Sequence, residues 1–181
     1  SEDDSQELVL PFLSEKIKYI RLANNCGVGA ARNLGVRESR YPWIIFLDSD
    51  NRLPRDALLN FLHSLDRMKG KIAFFPVSMK SGKRSSLYFT QSYFYQDVKA
   101  YFMNRISGEF HSICRRDTLL CFPLLEDVNG GEGIVWTRIV KAQGFVEYFG
   151  CITLIYDDED GGRLSSRFSN VDRILKVHKK V

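Results

Sequence analysis

Residues Trp43 to Leu47 (Trp-Ile-Ile-Phe-Leu) form an uninterrupted apolar run that ends on Asp48-Ser49-Asp50. A run apolar at every position suits a strand buried on both faces of a mostly parallel sheet. Such a strand needs helices on both sides, so the run points to an α/β layered architecture. The flanking segments agree. Gly29 to Ser39 reads as a helix. Pro54 to Met68 is the clearest helix, with Pro at its first turn and Ala57, Leu58, Phe61, Leu62 and Leu65 on one face.

Other elements follow from the same patterning. Ser5 to Lys16 starts helical, with Pro11 interrupting it or opening its last turn. Strands are predicted at Ile17–Leu22, Lys71–Ser78, Leu87–Gln91, Glu109–Arg115 and Cys151–Tyr156, and a helix at Gly133–Ala142. With 181 residues and no repeat or long linker, the chain reads as one α/β domain.

Composition narrows the function classes. Lys and Arg number 26 against 22 Asp and Glu, a net charge of +4 that falls short of a dedicated nucleic-acid binder, so no nucleic-acid partner is expected. No apolar run approaches the roughly 20 residues that span a bilayer. Cys26, Cys114, Cys121 and Cys151 form no C-x-x-C pair and read as reduced thiols of a cytoplasmic protein, not a zinc site.

The chemistry concentrates between Asn24 and Asn51. A glycine-containing turn leads into a helix whose N-terminal amides can face an anion. Arg32 lies in that helix's first turns. The apolar strand then delivers Asp48 and Asp50 at its C-terminal end, the edge where open α/β sheets bind ligands. Two carboxylates spaced by one residue suit a hard divalent cation that completes its shell with a diphosphate. Asp-x-Asp alone equally describes a solvated turn before the next helix.

Asn24, Gly27, Ala31-Arg32-Asn33 and Gly35, followed by the apolar strand and Asp48-Ser49-Asp50, resemble the nucleotide-diphospho-sugar transferases of glycosyltransferase family 2, which have the GT-A fold. The resemblance implies a mixed, mostly parallel sheet flanked by helices. It also implies an inverting transfer from a nucleotide-sugar donor to a glycan or lipid-linked acceptor, as in surface-polysaccharide assembly, with Mn²⁺ or Mg²⁺ as cofactor. Carried over residue by residue, it gives Asp50 and Asp48 as metal ligands and Asn24, Gly27, Arg32 and Asp48 as the donor-binding set.

Two departures from the family pattern shape the remaining expectations. The first strand, helix and second strand of the family have no counterpart before Ser1, which implies about 35 absent residues, a β-α-β unit that would hold the nucleobase. The usual late Glu-Asp pair is replaced by Glu132-Gly133, which makes Glu132 the candidate catalytic base, unless it only stabilises a helix N-terminus. Glu126 and Asp127 stand in reserve. His111 and Arg115 are candidate acceptor or phosphate contacts.

Residues 1–166 are thus expected to form the transferase domain. Residues 167–181 read as a basic amphipathic helix, docked on the domain or resting peripherally on the inner membrane surface. The aromatic-rich stretch Tyr88 to Tyr101 is an acceptor platform, a homo-oligomer surface or core. Asp157–Asp160 is a solvated acidic run or a second cation site. Two rival functions compete: a haloacid-dehalogenase-like phosphatase with Asp48 as nucleophile, and a non-catalytic interaction module.

Overall fold

The computed structural model describes residues 4–81, 91–103, 108–128 and 131–156. The chain opens with α1 (Ser5–Val9), which tightens into a 3₁₀ turn over Leu10–Phe12. Pro11 lies in that turn, where it has no N–H to continue an α-helix. The strand predicted over Ile17–Leu22 does not form. No described strand pairs with it, and Ile17 and Ile20 are exposed.

The remaining elements include most of the predicted ones, together with two strands and two short helices that the patterning did not predict. They are α2 (Gly27–Glu38), β1 (Trp43–Ile45), α3 (Ala57–Leu65), β2 (Ile72–Met79), β3 (Tyr93–Asp97), α4 (Val98–Phe102), β4 (Phe110–Arg115), α5 (Arg116–Cys121), α6 (Glu132–Gln143), β5 (Phe145–Phe149) and β6 (Leu154–Tyr156). The strand order is β1-β4-β2-β5-β3, and β6 adds to β2. β4 is antiparallel to both β1 and β2, and β2 is parallel to β5 and β6. β1, β2, β5 and β6 therefore run one way and β3 and β4 the other, a mixed sheet with most strands parallel in direction. The C-terminal ends of β1 and β2 consequently share one edge.

The two faces of the sheet bury different helices. Ile72 and Phe74 of β2 pack with Val36 of α2, Leu119 of α5 and Val135, Ile139 and Val140 of α6. Ala73 and Phe75, pointing the opposite way as strand neighbours must, pack with Phe61 of α3. α3 is rotated from the expected arrangement: Ala57, Phe61 and Ser64 face inward, and Leu58, Leu59 and Leu62 are exposed. Ser64 tolerates burial because its hydroxyl donates to the Asn60 carbonyl at 2.7 Å.

β5 carries a charged residue in the core. Glu147 is fully buried, and its carboxylate accepts from the Lys69 N–H at 3.0 Å, the Gly70 N–H at 2.7 Å and the Tyr93 hydroxyl at 2.8 Å. A buried carboxylate survives when enough donors replace water. Part of the predicted aromatic stretch is therefore strand β3: Tyr93 serves Glu147, and Phe94 stacks on Tyr148 with centroids 4.9 Å apart. Among the described residues no helix is long and apolar enough to cross a membrane. The expectations for Tyr88–Thr90, Asp157–Asp160 and residues 167–181, and all but the last residue of the strand predicted at Leu87–Gln91, lie outside the described residues.

Candidate active site

The site begins where β1 stops. After Ile45 the chain turns, and the Asn51 N–H donates to the Asp48 carbonyl at 3.1 Å. Arg52 then exchanges two backbone hydrogen bonds with Ile155, at 3.0 and 2.8 Å, which pins the exit of the acidic turn to β6. The entry is pinned by His111, whose Nε2 meets the Phe46 carbonyl at 3.0 Å and whose Nδ1 meets the Thr153 hydroxyl at 3.1 Å. A carbonyl can only accept, so Nε2 carries the proton in the neutral ring. Burial pushes the His111 pKa below its usual value, which favours that neutral form.

α2 supplies the cation. The chain enters the helix through a turn in which the Asn25 side-chain oxygen accepts from the Gly27 N–H at 3.0 Å, and Gly27 has φ 82°, a conformation glycine adopts without strain. Gly29 lets the helix lie directly on the loop before α6: a Cβ there would sit 2.1 Å from the Leu125 carbonyl oxygen. Asn33 locks the same contact. Its amide oxygen accepts from the Leu124 N–H at 2.9 Å, and its amide nitrogen donates to the Leu124 carbonyl and the Glu126 carboxylate, both at 2.9 Å.

This clamp sets Arg32 between two acids. One guanidinium nitrogen donates to Asp48 at 2.5 Å and the other to Glu132, the first residue of α6, at 2.6 Å. The Arg32 side chain is only 17% exposed, and its guanidinium lies 5.2 Å from the Phe46 ring centroid. A planar fork with fixed donors is what such a two-sided bridge needs; a lysine would offer one point charge. Asp50, two residues beyond Asp48, is exposed, and no described residue bonds its carboxylate.

The three carboxylates outweigh the one guanidinium among these four side chains, leaving room for a cation's charge. Asn51 Oδ1 is buried beside the turn without a hydrogen-bond partner. Among the described residues no group of three or more His, Cys, Asp or Glu side chains is gathered tightly enough to hold a metal alone. The donor set is thus one or two carboxylates with oxygen chemistry, which fits a cation that takes its other ligands from water and phosphate.

The structure brings Arg32, Asp48 and Glu132 together and leaves other candidates apart. Asn24 is exposed on the loop before α2, and the neighbouring Asn25 makes the turn's hydrogen bond. His111 does not reach the cleft as an acceptor contact, because it is 5% exposed, lies on the α3 face and has both ring nitrogens occupied. Arg115 is paired in register with Trp43, at the start of β1 and so at the opposite edge from Asp48. It bonds Asp117 at 2.9 Å and stacks 5.5 Å from the Trp43 ring. A cavity of about 500 Å³ lined by Asn60, His63, Arg67 and Phe149 also lies on the α3 side, away from this cluster.

Sequence reasoning missed Gly29 and Asn33 as the residues that seat Arg32. Their signal was present in the spacing: both lie within one turn of Arg32 on α2. Glu126, a reserve base, is instead bonded to Asn33.

An open α/β sheet with an acidic turn at the C-terminal end of an edge strand, joined through an arginine of α2 to the first carboxylate of α6, has the architecture of the GT-A glycosyltransferases. The crystal structure of S. aureus TarS 1–349 in complex with UDP-GlcNAc superposes with a TM-score of 0.79 at 15% identity, covering 93% of this chain and 50% of that one. TarS 1–349 in complex with UDP gives a TM-score of 0.70 at 15% identity, covering 87% and 48%. Residues 1–123 match the family model described as "Glycosyl transferase family 2", and the chain belongs to that family. The succinoglycan biosynthesis protein ExoO of Rhizobium meliloti (strain 1021) is 34% identical over 73 residues, 40% of this chain and 21% of that protein. The chain therefore spans about half of the TarS structures and about a fifth of ExoO.

Proposed function

We propose that this chain carries the donor-side catalytic machinery of a metal-dependent, inverting glycosyltransferase that uses a nucleotide-sugar. One observation carries the reading: a single guanidinium joins the acidic turn at the end of β1 to the first carboxylate of α6. In this reading a divalent-cation ligand and a general base flank one positive charge, at the sheet edge where open α/β sheets bind ligands. The relatives support the donor class. TarS was crystallised with UDP-GlcNAc and with UDP, and ExoO is named for succinoglycan biosynthesis.

In this reading Asp50, with Asp48, would hold Mn²⁺ or Mg²⁺. The bound cation supplies charge neutralisation to the leaving diphosphate. Glu132 takes the proton from an acceptor hydroxyl. The hydroxyl oxygen forms a bond to the anomeric carbon as the bond to the diphosphate oxygen breaks, and that electron pair leaves with the nucleoside diphosphate. The acceptor is a glycan or a lipid-linked glycan, and the reaction belongs to polysaccharide assembly in the cytoplasm. A phosphatase with Asp48 as nucleophile fits less well, because it gives the Arg32–Glu132 pair no part in the reaction.

The test is release of nucleoside diphosphate from UDP- or GDP-sugars with Mn²⁺ present. The reading expects release by the wild type and none by Asp50→Ala, with the fold of the variant intact. Equal release by both, or hydrolysis of a phosphomonoester instead, would overturn it.

A further inference from the structure

We infer that Arg32 is a positioning residue that couples occupancy of the donor site to the freedom of Glu132, an inference that rests on the donor-site reading above. The two terminal nitrogens of Arg32 are engaged by Asp48 at 2.5 Å and by Glu132 at 2.6 Å. Glu132 is thereby held by a cation, its most exposed alternative being water, and an acceptor hydroxyl must compete with a charge-assisted bond for its oxygen. A diphosphate arriving at the acidic turn brings oxygens that a guanidinium binds in the same two-pronged way. Two-pronged binding of the diphosphate through those terminal nitrogens turns them away from the acids, which loosens the hold on Glu132.

The surroundings make this exchange local. Asn33 and Gly29 fix the α2 backbone against Leu124 and Leu125, so the base of the Arg32 side chain stays in place. Phe46 supports the flat side of the guanidinium at 5.2 Å. Glu132 sits in the first turn of α6 with Gly133 beside it, where even an added Cβ would meet nothing within 4 Å. Glu132, its side chain 27% exposed, can give up the bond to water, and the device orders the reaction: donor first, free base second.

Binding reciprocity gives the test, because whatever diphosphate takes from Glu132, Glu132 withholds from diphosphate. UDP with MnCl₂ is titrated calorimetrically into the wild type, Glu132→Gln, Arg32→Gln and the double variant. Glu132→Gln is expected to bind UDP about tenfold more tightly than wild type. Arg32→Gln is expected to bind more weakly, and adding Glu132→Gln to it should change nothing further. The last arm separates competition for Arg32 from the general gain of removing a negative charge, which would persist without the arginine.

Should Glu132→Gln misfold in thermal unfolding, Glu132→Ala takes its place in the cycle. Unchanged or weaker UDP binding by a folded Glu132 variant, or an equal gain in the Arg32→Gln background, overturns the coupling while leaving the donor site standing. Failure of the wild type to bind UDP or GDP with Mn²⁺ overturns the donor-site reading, and the coupling with it.

Discussion

Asn33→Ala tests how the site is held, through a residue that touches no ligand. The side chain is 5% exposed and makes three hydrogen bonds at 2.9 Å to Leu124 and Glu126. Truncation strands the Leu124 N–H and carbonyl in a buried setting, since Leu124 is itself 5% exposed. A buried group left without its partner costs about 1–3 kcal/mol, so two of them amount to about 3 kcal/mol after partial relaxation. That is a large part of the about 5–15 kcal/mol that holds an ordinary domain together. For a domain of this size it corresponds to a fall in Tm of about 6–12 °C. Urea unfolding followed by circular dichroism reads the first quantity and calorimetry the second. Asn33→Asp keeps the acceptor for the Leu124 N–H but turns a carboxylate oxygen toward the Leu124 carbonyl and Glu126, and should do no better. A loss below about 0.5 kcal/mol in both variants, the level of an ordinary surface change, would refute the clamp.

Three further outcomes follow from the same structure. Gly29→Ala, which drives a Cβ onto the Leu125 carbonyl, should cost about 1–3 kcal/mol, whereas Gly133→Ala, with open space around it, should be neutral or gain about 0.5 kcal/mol in urea unfolding. Tyr93 is pushed up to about 12 by burial and by its bond to Glu147, so its contribution is complete below its ordinary 10.0 and is lost as pH rises through about 12; Tyr93→Phe should flatten that alkaline decline. His111 is lowered from 6.5, chiefly by burial, so its contribution is complete above 6.5 and is lost as pH falls through the lowered value; a Tm-against-pH curve should steepen there in the wild type and not in His111→Gln.

Much of the site's position was readable in the sequence, because an apolar run ending in two acids has few homes other than a strand end at a ligand-binding edge. What fills the cleft was less readable. Glu132 could be placed at a helix start, but its pairing with Arg32 spans 100 residues of chain and depends on how α2 and α6 dock. β5 escaped notice because Glu147 breaks its apolar run, and the donors that satisfy it come from the loop before β2 and from β3. The periodicity of α3 puts Leu58 and Leu62 on one face with Ala57, Phe61 and Leu65, yet those two leucines are exposed and Ser64 is buried, its hydroxyl satisfied by the Asn60 carbonyl. The Ile17–Leu22 alternation has strand character without a strand partner, and pairing is a property of two segments. His111 and Arg115 share β4, but register sends one to the ligand edge as an internal strut and the other to the far edge.

The central claim is that the turn at Asp48–Asp50 seats a cation together with a diphosphate. Crystals grown with UDP and MnCl₂, measured at the manganese absorption edge, locate the metal by its anomalous scattering. The account predicts a peak in direct coordination with the Asp50 carboxylate and with the UDP phosphates, on the side of β1 that faces Arg32. A peak elsewhere, such as the cavity between α3 and β5, or UDP bound with its phosphates away from the acidic turn, would contradict it.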